Sequence, residues 1–173
     1  MITISWDKSR SSWLLESCVT LPVSRTELFE FFSDAFQLEQ ITPPWLNFRV
    51  LTPAQIFIRS GTQIDYRLRL RGLPIRWRTE ISTWDPPRSF TDRQLKGPYY
   101  LWEHLHTFSE VDEGTEVRDQ VWYRVPGGTL VHSLFVRNDL LRIFHYRLAH
   151  MQNIFATVQE APVPGNSPDA VKA

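Results

Sequence analysis

The chain has a single cysteine, Cys18, among its 173 residues. That excludes an internal disulfide and a cysteine-rich metal centre and suits a reducing compartment. Net charge is lacking too: 19 Lys and Arg balance 19 Asp and Glu, so no overall field draws nucleic acid or anionic lipid headgroups. No apolar run approaches the ~18 residues of a membrane span, and residues 1–12 lack the basic-then-apolar order of a secretory signal. A soluble cytoplasmic protein that neither inserts into a membrane nor binds nucleic acid is expected. Neither common Gly-rich phosphate loop occurs, which argues against nucleotide chemistry. Ser109, Ser133 and Cys18 have no nucleophile elbow or Cys–His setting.

Aromatic residues, by contrast, are abundant: 13% of the chain, with seven tryptophans, beside an ordinary 42% hydrophobic and 22% charged content. The length suits one domain that buries a core without staples. The aromatic excess suits a thick core or a large apolar cavity.

Hydrophobic periodicity divides the chain. Residues 1–12 are polar and patternless and read as a loose lead-in to a domain over 13–160. Residues 13–21 read as a strand with Leu15, Ser17, Val19 and Leu21 on one face. Ser24-Arg25-Thr26-Glu27 has the capping-box form, so a helix bearing Leu28, Phe29 and Phe32 should follow. Residues 33–39 read as a second short helix, stopped by Thr42-Pro43-Pro44.

From Trp45 the period becomes two, with strand candidates at 46–52, 62–71, 75–84, 88–95, 99–110 and 115–125 joined by turns to their sequence neighbours. Such spacing predicts an antiparallel meander. Pairing Leu70 with Ile75 sets Leu68 against Trp77 and Tyr66 against Thr79. Arg67, Arg69, Arg76 and Arg78 then share the outer face, either as a solvated surface or as a contact surface for an anionic protein partner. After Pro126-Gly127-Gly128 the pattern turns helical. Leu141, Phe144, Leu148, Met151, Phe155 and Val158 form one stripe over about five to six turns, with Arg147 at its edge. Residues 161–173 are Pro-rich and apolar-poor, the composition of a disordered tail.

A half-apolar sheet and a half-apolar helix must bury their faces against each other. The order strand, two short helices, meander, long helix therefore predicts an α+β helix-grip fold, with about seven antiparallel strands curved around the last helix. Over residues 13–159 the sequence resembles the START-like, or SRPBCC, superfamily, which includes pollen-allergen-like proteins, polyketide cyclases and coenzyme Q-binding proteins. The resemblance rests on LPVSRTELFEFFSDAFQLEQITPPWLNFRV at 21–50, WDPPRSFTDRQLKGPYYLWEHLHTF at 84–108, GTEVRDQVWYRVP at 114–126 and RIFHYR at 142–147. It is most similar to bacterial proteins of a cyclase/dehydrase-like branch. The resemblance implies a cavity between sheet and long helix for an apolar or amphipathic small molecule. It supplies no shared catalytic set.

Turn-derived registers place polar residues on the inner face. Pairing Lys96 with Tyr100 sets Gln94 opposite Trp102, Asp92 opposite His104 and Phe90 opposite His106. Pairing Glu110 with Thr115 sets His106 opposite Asp119, His104 opposite Val121 and Trp102 opposite Tyr123. Two Asp–His pairs result, Asp92 with His104 and Asp119 with His106. They either satisfy each other and hold the register, anchor a polar ligand, or serve as a general acid–base pair. Arg147 is expected to neutralise one of the aspartates, or else to meet a ligand carboxylate.

The leading reading is a carrier or binding module for a lipid, quinone or polyketide-like molecule, needing neither cofactor nor metal. Its ligand-binding residues would be Tyr66, Trp77, Phe90, Gln94, Trp102, Tyr123, Leu141, Phe144, Arg147, Leu148 and Met151. The alternative is a cofactor-independent cyclase, dehydratase or isomerase using Asp92, His104, His106 and Asp119. A third reading is a cupin-like metal enzyme, since Gly97, His104, His106 and Glu110, with Pro126-Gly127-Gly128 and His132, loosely follow the two cupin metal motifs.

Overall fold

A computed structural model describes residues 1–158, with side chains through Ala156; the expected tail at 161–173 lies outside the described residues. The inner-face alternation seen in the sequence builds one antiparallel sheet, β1 (Ile2–Asp7), β2 (Ser12–Leu21), β3 (Arg49–Val50), β4 (Gln63–Leu70), β5 (Leu73–Asp85), β6 (Ser89–Lys96), β7 (Leu101–Val111) and β8 (Gly114–Arg124). Its spatial order is β1-β2-β8-β7-β6-β5-β4-β3, so β3 to β8 form a meander and β2 closes on β8. The short helices α1 (Arg25–Ser33) and α2 (Gln37–Ile41) follow β2, α3 (Gly128–Val131) follows β8, and the long helix α4 (Arg137–Val158) ends the described chain. This is the helix-grip arrangement.

Local signals act as expected at several points. Ser24 Oγ accepts the Glu27 amide at 3.3 Å and starts α1, whose Leu28, Phe29 and Phe32 are buried. Thr42, held extended before Pro43, ends α2. Along β2, Leu15, Ser17, Val19 and Leu21 are buried as one face.

Other expectations are corrected. The lead-in at 1–12 is an edge strand: β1 pairs with β2 from Ile2↔Ser17 to Asp7↔Ser12, and Ile2 and Ile4 pack on the core. The sheet accordingly has eight strands rather than seven. The β4–β5 hairpin is shifted by two residues from the expected pairing, with Leu70↔Leu73, Leu68↔Ile75 and Tyr66↔Trp77. Arg71 and Gly72 both have positive φ, 51° and 83°, which closes the strands through a two-residue turn of the primed type. A two-residue shift preserves the face, so Arg67, Arg69, Arg76 and Arg78 remain exposed on the outside. The helical region does begin at Pro126-Gly127-Gly128 as expected, with α3 and a π-helical turn His132–Val136 leading into α4.

The buried apolar residues form separate clusters. One joins Leu28, Phe29 and Phe32 of α1 to Phe90, Phe108, Val117, Met151 and Phe155. A second joins Leu15, Val121 and Tyr123 to Leu140 and Phe144. A smaller one holds Ala35, Ile64 and Tyr66.

Gly114, at the β7–β8 turn, has φ 129°, and a Cβ there would collide with the Leu21 carbonyl oxygen and the Pro22 backbone. This close approach seats the turn against the end of β2. Gly114→Ala should lower unfolding free energy by more than ~1 kcal/mol in urea titration, since neither backbone can yield without breaking the β2–β8 ladder.

Candidate functional site

Between the sheet and α4 lies a cavity of about 190 Å³. Its walls are mostly apolar: Ile64, Tyr66, Leu68 and Trp77 from β4 and β5, Phe90 from β6, Trp102 from β7, Phe32 from α1, and Leu140, Ile143 and Phe144 from α4. The polar wall groups are few, chiefly Asp92, His104, His106 and Arg147.

The register that the turns predict for the polar strands is observed. Asp92↔His104 and Phe90↔His106 pair across β6–β7, and His104↔Val121 and His106↔Asp119 across β7–β8. Hydrogen bonding, however, runs along the diagonals. His106 Nε2 lies 3.3 Å from Asp92 Oδ2, and His104 Nε2 lies 3.0 Å from Asp119 Oδ1. The direct-opposite contacts also close: His104 Nδ1 is 3.8 Å from Asp92 Oδ2, and His106 Nδ1 is 2.8 Å from Asp119 Oδ1. That last approach lies off the line a hydrogen bond needs, so Nδ1 keeps its bonding capacity unspent. Instead of two independent pairs, the residues form one cluster in which each imidazole meets both carboxylates. Asp119 is sealed at 1% exposure and accepts Ser17 Oγ at 3.0 Å on its other oxygen. Asp92 faces the cavity and accepts Thr79 Oγ1 at 3.1 Å.

Electrostatics follow from burial against contact. Burial pushes the Asp119 carboxyl up, but His104 and His106 outweigh it and hold the group well below the usual carboxylate range. At Asp92 burial is outweighed by His106, His104 and Thr79, again leaving a lowered value. The imidazoles split: burial and the neighbouring His106 hold His104 below its ordinary value. At His106 the two carboxylates overcome burial and raise it. The surroundings thus favour the neutral form at His104 and the protonated form at His106.

Arg147 corrects an expectation. Its guanidinium makes no ion pair with Asp92 or Asp119; among the described residues its recorded neighbour is the Phe32 ring, 5.5 Å from Cζ to centroid. Its Nε and Nη2 are buried and have no hydrogen-bond partner among the described residues. The cavity separates helix from sheet here, so the charge faces the hollow.

The remaining expected ligand residues divide. Tyr66, Trp77, Phe90, Trp102 and Phe144 line the cavity. Gln94 instead bonds the Tyr99 backbone, donating from Nε2 to the carbonyl at 2.7 Å. Tyr123 is buried in the second apolar cluster, its hydroxyl 2.9 Å from His132 Nε2. Met151 and Leu148 pack in the first cluster, and Leu141 borders a shallow outer depression beside Trp45 and His145. The cavity lies on the Ile143–Arg147 side of α4. Tracing the stripe through apolar residues alone favoured Leu141 and Leu148 over Leu140 and Ile143. Leu140 and Ile143 were legible as the positions four and one before Phe144.

The cupin-like set does not assemble. Glu110 is exposed and reaches Arg25 at 3.5 Å, while His132 is stacked on Trp13 at 3.8 Å between ring centroids, away from His104 and His106. The carboxylate that accompanies the two histidines into the cavity is Asp92. One ligand atom from each of Asp92, His104 and His106 lies within 4.8 Å of the others, so this is the group that could hold an ion.

The depressed Asp119 carboxyl has a stability consequence. Its contribution is present above the unfolded pKa of ~3.9 and is lost as pH falls through the lower folded value. Asp119→Asn should therefore cost about 3 kcal/mol at pH 7 in urea unfolding with EDTA present, leaving buried histidines without their counter-charge. The gap to the parent protein should narrow below about pH 4. A gap that stays constant from pH 7 to pH 3 would show that Asp119 is not held ionised.

No family model and no curated protein matches this chain. Solved structures do share its fold. Protein Ms6760 from Mycobacterium smegmatis superposes with a TM-score of 0.67 at 17% identity, covering 91% of this chain and 99% of that one. For TTHA0849 from Thermus thermophilus the TM-score is 0.62 at 17% identity, over 85% and 99% of the two chains. Ara h 8.0201, a Bet v 1-like protein, gives 0.60 at 14% identity, over 83% and 97%. At these identities the likeness establishes the architecture: the chain has the helix-grip fold of the Bet v 1-like proteins.

Proposed function

We propose that the protein binds a small amphipathic molecule in the cavity between sheet and α4, with an acidic group of the ligand meeting Arg147. The observation that carries this reading is the guanidinium itself, which has two buried nitrogens without partners among the described residues, at the helix side of a mostly apolar hollow. An uncompensated buried charge costs several kcal/mol, and a carboxylate supplied by the ligand removes that cost through a bidentate contact. The volume of about 190 Å³ lies below the ~300–1,000 Å³ of sites for drug-sized ligands. It suits a compact aryl or short-chain acid better than a long-chain lipid. Aromatic walls at Trp77, Trp102, Phe90 and Phe144 supply the apolar contact.

Trp77 and Trp102 make binding measurable by intrinsic fluorescence. 4-Phenylbutanoate should quench or shift tryptophan emission, and Arg147→Met should weaken its binding at least about 10-fold, or ~1.4 kcal/mol, while 4-phenylbutan-1-ol is held equally by both proteins. Equal affinity for acid and alcohol in the parent protein refutes the acidic-group assignment. No binding of either at millimolar concentration refutes the ligand-binding reading.

A second reading, that the bound molecule is turned over by cyclase, dehydratase or isomerase chemistry, is favoured by one observation: Asp92, His104 and His106 line the cavity and Asp119 backs them. His106→Asn should then abolish conversion of a ligand recovered from the purified protein while its binding persists. Unchanged conversion removes these histidines from any reaction.

A further inference from the structure

Asp119 and Asp92 occupy opposite ends of the two imidazoles. Asp119 Oδ1, behind them, stands 3.0 Å from His104 Nε2 and 2.8 Å from His106 Nδ1. Its second oxygen is taken by Ser17 Oγ. The other ring nitrogens, His104 Nδ1 and His106 Nε2, both turn to one oxygen of Asp92, Oδ2, at 3.8 and 3.3 Å. Asp92 Oδ1 is taken by Thr79 Oγ1 at 3.1 Å. A neutral imidazole carries one N–H. With the His104 N–H on Nε2, bonded to Asp119, and the His106 N–H on Nδ1, two nitrogen lone pairs and a carboxylate oxygen converge at the cavity wall.

We propose that Asp92 Oδ2, His104 Nδ1 and His106 Nε2 form a binding site for a divalent first-row transition-metal ion. Bond lengths of ~2.0–2.2 Å to nitrogen and carboxylate oxygen set neighbouring ligand atoms roughly 3–3.5 Å apart, so the 3.3 and 3.8 Å approaches to Asp92 Oδ2 require only small shifts, within a group whose ligand atoms all lie within 4.8 Å. Binding requires both imidazoles to present a free lone pair at these nitrogens, so occupancy falls as pH is lowered. Two imidazoles with one carboxylate select zinc, iron, cobalt or manganese over magnesium and calcium, whose preferred ligands are all oxygen. The surroundings match what such a site requires. A histidine ligand is oriented by a carboxylate on its far nitrogen, here Asp119, and a carboxylate ligand by a donor on its free oxygen, here Thr79. Asp119 acts as a positioning residue, and the ion's open positions face the cavity. There the ion would act as a Lewis acid on an oxygen of the bound molecule. The site itself does not depend on the ligand reading, because an ion can bind whether or not the hollow takes an organic acid.

The test uses full-length protein stripped with EDTA and dialysed. Zn²⁺ should bind with 1:1 stoichiometry by titration calorimetry, Co²⁺ should develop visible ligand-field bands, and Mg²⁺ should do neither. Asp92→Asn and His104→Asn should weaken Zn²⁺ binding about 100-fold or more, and Asp119→Asn by about 10–100-fold, while the exposed His145→Gln leaves it unchanged. Circular dichroism checks that each variant is folded. The titration of the parent protein decides the matter even where a variant unfolds. Absence of stoichiometric Zn²⁺ and Co²⁺ binding to the parent protein overturns the site, as does binding unchanged by Asp92→Asn and His104→Asn. Acid-selective binding of 4-phenylbutanoate would survive that outcome, so the two assignments fail separately.

Discussion

A polar belt across the inner face of the sheet governs the rest of the structure. It runs from Thr79 on β5 to Asp92 on β6, through His106 and His104 on β7 to Asp119 on β8, and ends at Ser17 on β2. Ionised carboxylates in a low-dielectric interior are tolerated only when every lone pair has a partner. Each partner here comes from an adjacent strand, so these contacts form in one register alone. Slipping any of these strands by one residue would turn its member to the solvent face and strand the others. The cluster therefore specifies the sheet as well as facing the cavity, and its stabilising and chemical roles are carried by the same atoms.

The belt also accounts for the position of the hollow. Along β8 it interrupts the buried apolar run, with Val117 in one cluster and Val121 in the other and Asp119 between them. Along β7 the same break falls between Phe108 and Trp102. Helix α4 spans both clusters, gripping one through Leu140 and Phe144 and the other through Met151 and Phe155. Over the belt it presents Arg147, whose charge cannot be packed into either cluster. Apolar side chains laid directly on the belt would desolvate Asp92 without replacing its contacts, so this part of the interface stays open.

How much of this was legible depended on whether a local signal set the geometry. The β6–β7–β8 registers followed from the positions of Gly97-Pro98 and of the 111–114 turn, because turn length fixes pairing and alternation fixes the face. The β4–β5 register was misplaced by two residues since Arg71 gives no sign in the sequence that it adopts positive φ. β1 was missed because it is an edge strand with half of its positions exposed and none buried, leaving only Ile2 and Ile4 as a faint alternation. The contacts within the cluster were legible only in part. Registration named the residues that face one another, whereas the diagonal bonds of His104 and His106 depend on how the rings lean along the strand.

Arg147 shows why residue-level attraction was a poor guide to a cavity. Opposite charges on facing elements invite an ion pair, and Asp92, Asp119 and Arg147 are charged residues that face one another across the interior. Yet the aspartates already have their partners laterally, within the sheet, in groups held at 2.8–3.8 Å through strand pairing. A long, flexible arginine would have to lose rotamer freedom to compete with partners that the backbone positions without further cost. The sheet therefore pairs its carboxylates within itself and, among the described residues, leaves the helix guanidinium without a counter-charge. Two polar ends, one lateral cluster and one lone guanidinium, face each other across an apolar gap, and a molecule that fits the gap must be polar at the helix end and able to offer an oxygen or nitrogen at the sheet end.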